Sequence, residues 1–98
     1  MTVYLVAQLT IHDRERYNRY VARFMPIIAK YGGRVLAADN SPEVPEGEWG
    51  YQRLVLLEFP ERASFRRWAD SPEYREIAVD RIAATDGVMV LAEGIPAS

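Results

Sequence analysis

A chain of 98 residues, 49% of them apolar and 27% charged, has the size and composition of one globular domain, residues 1–98, whose core buries about two-thirds of the unfolded surface. Its 12 basic and 14 acidic residues leave a net charge of -2, too little field to gather phosphates, which argues against nucleic acid and anionic membrane surfaces as partners. The absence of cysteine excludes disulfides, iron–sulfur clusters, thiolate zinc sites and cysteine nucleophiles. No basic-then-apolar leader opens the sequence and no apolar run is long enough to span a bilayer, so a cytoplasmic location is expected.

Val3, Leu5, Ala7, Leu9 and Ile11 alternate with Tyr4, Val6, Gln8 and Thr10, which predicts a strand over 3–11 with one wholly apolar face. Asp13 is placed to cap a helix that follows, along which Tyr17, Tyr20, Val21, Phe24, Ile28 and Tyr31 form one stripe. Pro26 lacks an amide proton and predicts a kink, and Gly32 and Gly33 are expected to end the helix in positive-φ conformations. Arg34 to Asp39 suits a short strand, and Asn40 to Gly50 is a long connection rich in turn-formers. Tyr51 to Phe59, with Leu54 to Leu57 consecutively apolar, belongs in the middle of a sheet.

A helix opens at Pro60 and Glu61 and runs through Ala69, with Phe65 and Trp68 on its apolar side. Ser71 and Pro72 restart it, because a serine cap followed by proline is a specific start signal. Tyr74, Ile77, Ala78 and Ile82 are expected on its core side. Thr85, Asp86 and Gly87 read as its close, Val88 to Glu93 as the last strand and Gly94 to Ser98 as a short tail.

This order predicts an α+β fold of the ferredoxin-like βαββαβ type: a four-stranded antiparallel sheet with every helix on one face and the first and third strands central. The helix-free face would carry Tyr4, Val6, Leu54 and Leu56 beside Gln8, Thr10, Gln52 and Glu58. So apolar a face predicts a symmetric homodimer, two sheets facing each other around a barrel-like interior that could hold a small ligand.

The run Glu58, Phe59, Pro60, the helix with Trp68, and Asp70 to Tyr74 resemble a bacterial family known as domain of unknown function 1330. Lys30 to Arg34 and Glu46 to Trp49 extend the resemblance over nearly the whole chain. It implies a dimeric α+β barrel, a fold shared with small enzymes that often need no cofactor, and none is expected here. It carries over no catalytic residue.

Glu58, near the end of an apolar strand, is a candidate general base whose simpler reading is an ion pair with an arginine. Gln8 shares its face and could orient a carbonyl or bridge the dimer. His12, the single histidine, falls at the rim, where proton transfer competes with plain exposure, and no spacing of ligands points to a metal. Arg53 is directed toward the helices, to bind an anion or an internal acid. Trp68 and Tyr74 flank the helix break and either wall a pocket or seal the core. Two functions compete: binding or cofactor-independent conversion of a small, largely apolar molecule in the barrel, and a non-catalytic structural dimer. RNA binding through this strand order is disfavoured, because Leu54 and Leu56 stand where base-stacking aromatics would be needed.

Overall fold

In the computed structural model, which describes residues 1–96, the odd residues of β1 (Val3–Ile11) are turned toward the helices and the even ones away from them. Val3, Leu5, Ala7 and Leu9 are buried while Tyr4, Val6 and Gln8 stay half-buried. Asp13 caps α1 (Arg14–Lys30), its carboxylate accepting from the Arg16 amide at 3.2 Å. The helix runs through Pro26 without a break. Phe24 and Ile28, on either side of that proline, are both buried, so packing on the sheet offsets the missing backbone bond.

The two glycines that end α1 do different work. Gly32 has φ 79°, the left-handed geometry of a helix terminus. Gly33 does not share it, contrary to expectation, and is glycine for lack of room: a Cβ there would sit 2.6 Å from Ile28 Cγ1 and Phe59 Cε1. The chain returns as β2 (Arg34–Asp39), bulged between Val35 and Ala37, then crosses the long loop into β3 (Arg53–Phe59). Helices α2 (Arg62–Asp70) and α3 (Pro72–Ala84) follow, and β4 (Thr85–Glu93) closes the sheet.

The strand order is β2-β3-β1-β4 with every pair antiparallel, the ferredoxin-like arrangement, with β3 and β1 central. Opposite residues share a face, so the register Leu5↔Leu57, Ala7↔Val55 and Val35↔Leu57 gathers these side chains beneath the helices. Val6↔Leu56, Val6↔Val90 and Gln8↔Val88 gather the other face.

Thr85, Asp86 and Gly87, expected to close α3, instead begin β4 and pair with Ile11, Thr10 and Leu9. Gly87 permits this, because a Cβ there would run into the Gln8 carbonyl. Ile82 is 64% exposed, and Ala84 with Ala78 completes the buried side of α3. Of the expected tail, residues 97 and 98 lie outside the described residues.

Gly87→Ala should therefore destabilise the fold by about 1–3 kcal/mol, as overpacking does. Gly50→Ala, with nothing within 4 Å of the added methyl, should change stability by less than about 0.5 kcal/mol. Urea midpoints of the two variants check the contrast.

Candidate functional site

A cavity of about 150 Å³ lies between the helices and the sheet, on the opposite side of the sheet from the barrel-like interior expected from the strand pattern. Its floor is the helix-side row of the sheet: Leu5, Ala7 and Leu9 of β1, Val55 and Leu57 of β3, Val35 and Ala38 of β2, and Met89 of β4. Its roof is Tyr17, Tyr20, Val21, Phe24 and Met25 of α1. Protein interiors are ordinarily packed without voids of this size. Here the floor includes Ala7 on the central strand β1 and Ala38 on the edge strand β2, small side chains that leave space below α1. Val21 and Met25 are 44% and 58% exposed, which places an opening beside α1.

The aromatic wall is set by the joint between α2 and α3. Ser71 Oγ donates to the Trp68 carbonyl at 2.8 Å and accepts from the Tyr74 amide at 3.1 Å, ending one helix and capping the next. The two rings it ties together stack with centroids 4.0 Å apart. Trp68 also packs against Phe24, Phe59 and Phe65.

Within this apolar enclosure stand a few polar groups. The Tyr20 and Tyr74 hydroxyls are 3.0 Å apart and buried. Burial, followed by the neighbouring Tyr74 hydroxyl, holds Tyr20 well above the ordinary phenol range, so it remains a neutral O–H. Arg53 Nε donates to Tyr17 Oη at 3.0 Å, its Nη1 donates to Asn40 Oδ1 at 2.7 Å, and its guanidinium lies 5.6 Å from the Tyr17 ring centre. Arg81 reaches the cavity from α3, and its Nε, like Trp68 Nε1, is buried without a hydrogen-bond partner. The lining contains no carboxylate, histidine or lysine. Such a set can hold and polarise an oxygen atom, but it contains no ordinary base to remove a proton from carbon.

Three of the residues singled out from the sequence meet here: Arg53, Trp68 and Tyr74. Arg53 takes neutral partners rather than an internal acid. Glu58 lies on the helix-free face, opposite Tyr4 and Arg34, and binds Arg34 Nη2 at 2.6 Å and Nε at 2.9 Å. Gln8 shares that face between Leu54 and Val88. His12 is exposed, its Nε2 3.7 Å from Asp86 Oδ2. None of these three lines the cavity. Among the described residues no group of acids and histidines could hold a metal, and no helix is long and apolar enough to cross a membrane.

Arg81, Tyr17 and Tyr20 were not distinguished from core or surface by pattern alone, although a signal exists. Tyr74, Ile77, Ala78 and Arg81 follow the spacing of one helix face, so Arg81 is a charge on the core-facing stripe of α3.

A family model described as Domain of unknown function (DUF1330) matches residues 2–95. Among solved structures, RPA0582 of Rhodopseudomonas palustris, a protein of unknown function, is similar over 98% of this chain and 84% of its own, with TM-score 0.83 and 18% identity. SnoaB of Streptomyces nogalater, described as a cofactor-independent oxygenase, is similar over 98% and 95%, with TM-score 0.69 and 17% identity. A dimeric ferredoxin-like protein of unknown function from Jannaschia sp. CCS1 matches over 96% and 100%, with TM-score 0.67 and 15% identity. At these identities the likeness is one of fold. No curated protein matches the chain.

The raised Tyr20 gives a pH signature. A proton held more tightly in the folded state stabilises fully below the unfolded phenol value of about 10, and that contribution is lost as pH rises from there toward the folded value. Tyr20→Phe has no such proton to lose, so between pH 9 and 11 its stability should fall less steeply than that of the wild type, as urea titrations across about that range would show.

Proposed function

The chain belongs to the DUF1330 family, and we propose that it binds a small, largely apolar molecule in the cavity between its helices and its sheet. The observation that carries this reading is the cavity itself: about 150 Å³ enclosed mostly by aliphatic and aromatic side chains, with a few polar groups set into its wall. Sites for small molecules combine these features, a concave apolar body for affinity and a few fixed polar groups for orientation. A ligand that binds the folded state alone would add to its stability by mass action.

The helix-free face has a separate role in this reading. Leu54, Leu56 and Val6 are half-buried there beside Val88 and Val90, which are 46% and 54% exposed. A second copy applied about a two-fold axis would cover this apolar surface. The Arg34–Glu58 pair at its margin is then part of the interface rather than of a catalytic site.

An NMR titration with toluene tests the cavity. Shifts should concentrate at Leu5, Ala7, Val55 and the Trp68 indole, and Ala7→Leu, which extends three carbons into the space, should abolish them while leaving the protein folded. Shifts scattered over the surface, or unchanged by Ala7→Leu, would refute the reading. Sedimentation tests the interface: the wild type should be a dimer and Leu56→Lys a folded monomer, whereas a wild-type monomer at micromolar concentration would dismiss the proposed partner.

A further inference from the structure

Six of the eleven arginines are paired with acid. Arg16 and Arg19 reach Asp80, Arg23 reaches Glu76, Arg34 reaches Glu58, Arg62 reaches Glu93 and Arg75 reaches Asp70. Of the five arginines without an acid among the described residues, Arg14, Arg66 and Arg67 are exposed at the surface and the other two line the cavity. Arg53 from the sheet and Arg81 from the helical layer form no ion pair among the described residues, and no acid lines the cavity. The protein is net negative as a whole, yet this enclosure carries two positive charges and no negative one.

The hydrogen-bond inventory points the same way. Trp68 Nε1–H and Arg81 Nε–H are buried donors without acceptors, and the Trp68 side chain is almost wholly enclosed, at 2% exposure. In the Tyr20–Tyr74 pair one hydroxyl donates to the other, whichever way round, and the acceptor's own proton is left over. Tyr17 Oη accepts from Arg53 and likewise keeps its own proton. Donors therefore outnumber acceptors in the wall. Buried donors are normally satisfied, and a cluster of them is met by a group that only accepts.

Resting on the reading of the cavity as a ligand site, we infer that its ligand is a compact organic acid, a carboxylate on a body about the size of one six-membered ring. The volume sets the size, since about 150 Å³ accommodates a single benzene-like ring. The arginines and the indole set the charge, because a planar guanidinium matches a carboxylate with two parallel bonds. The aliphatic floor and aromatic wall take the ring. The opening beside Val21 and Met25 admits it from solvent.

The test compares benzoate with two neutral isosteres, benzamide and toluene, by NMR titration of the wild-type protein. Benzoate should bind at least about tenfold more tightly than either, the discrimination expected when charge-assisted bonds replace neutral ones. The Trp68 indole proton should be among the signals that move. Arg81→Gln and Arg53→Gln should each weaken benzoate by about tenfold and toluene by less than about twofold. If Arg81→Gln does not fold, Arg81→Lys, which keeps the charge and removes the Nε donor, should retain part of the preference. Neutral isosteres binding as tightly as benzoate would overturn the inference and leave the cavity reading intact. Benzoate affinity indifferent to both arginines would also overturn it. No binding of any probe would remove the cavity reading and the inference together.

Discussion

The hydroxyl of Ser71 joins the parts on which the rest of the molecule depends. By donating to the Trp68 carbonyl and accepting from the Tyr74 amide it ends α2 and starts α3 in one step, giving each helix end one of its missing partners although the residue is buried. The turn is so tight that the rings before and after it lie against each other. Trp68 thereby becomes the point where α1, β3, α2 and α3 meet, through Phe24, Phe59, Phe65 and Tyr74. Tyr74 in turn reaches the Tyr20 hydroxyl on α1. The helices are held to one another at this aromatic joint and, on their outer sides, by Arg16–Asp80, Arg23–Glu76 and Lys30–Glu73. With the roof supported along that line, the floor beneath α1 need not be filled.

The sheet then divides the labour. Because successive side chains alternate, a single register decides both faces, and a one-residue slip would exchange them. On one face the register lines up Val6, Leu56, Val88 and Val90, apolar side chains that stay partly exposed. On the other it places Ala7 among larger neighbours on the floor of the cavity. The two features are consequences of one pairing, which is why Gly87, the residue that lets β4 approach Gln8 closely, bears on both.

How much of this could be read beforehand followed the range of the interactions. The strands, helices and their order rest on local periodicity and caps, and Asp13, Ser71, Pro72 and the alternation of β1 each declare themselves within a few residues. The start of β4 was not legible, because Thr85, Asp86 and Gly87 have turn-like chemistry and become a strand only by pairing with β1, over seventy residues away. The site was half legible. Trp68, Tyr74 and Arg53 could be placed from their elements, whereas the side of the sheet on which space remains depends on summed side-chain volumes, which no motif records. Glu58 shows the same limit: its arginine partner could be expected from the sequence by residue type, but only the pairing of β2 with β3 identifies it as Arg34.

The chemistry of the cavity follows from what is missing from its wall. A site that removes protons from carbon needs a base of suitable pKa, and carboxylates and imidazoles are the usual ones. This wall has none, and its buried phenol at Tyr20 is pushed away from ionisation rather than toward it. What remains are N–H and O–H donors and positive charge in a space walled mostly by apolar side chains, where a fixed dipole interacts more strongly with negative charge than it does in water. Such a wall is suited to stabilising negative charge on oxygen. Tyrosines in place of phenylalanines along α1 and arginine on the core side of α3 would be liabilities in a purely structural core, since each adds a polar group to be satisfied. Together at one cavity they supply N–H and O–H donors and positive charge beside an apolar body, the combination that supports the proposed ligand site over a packing defect.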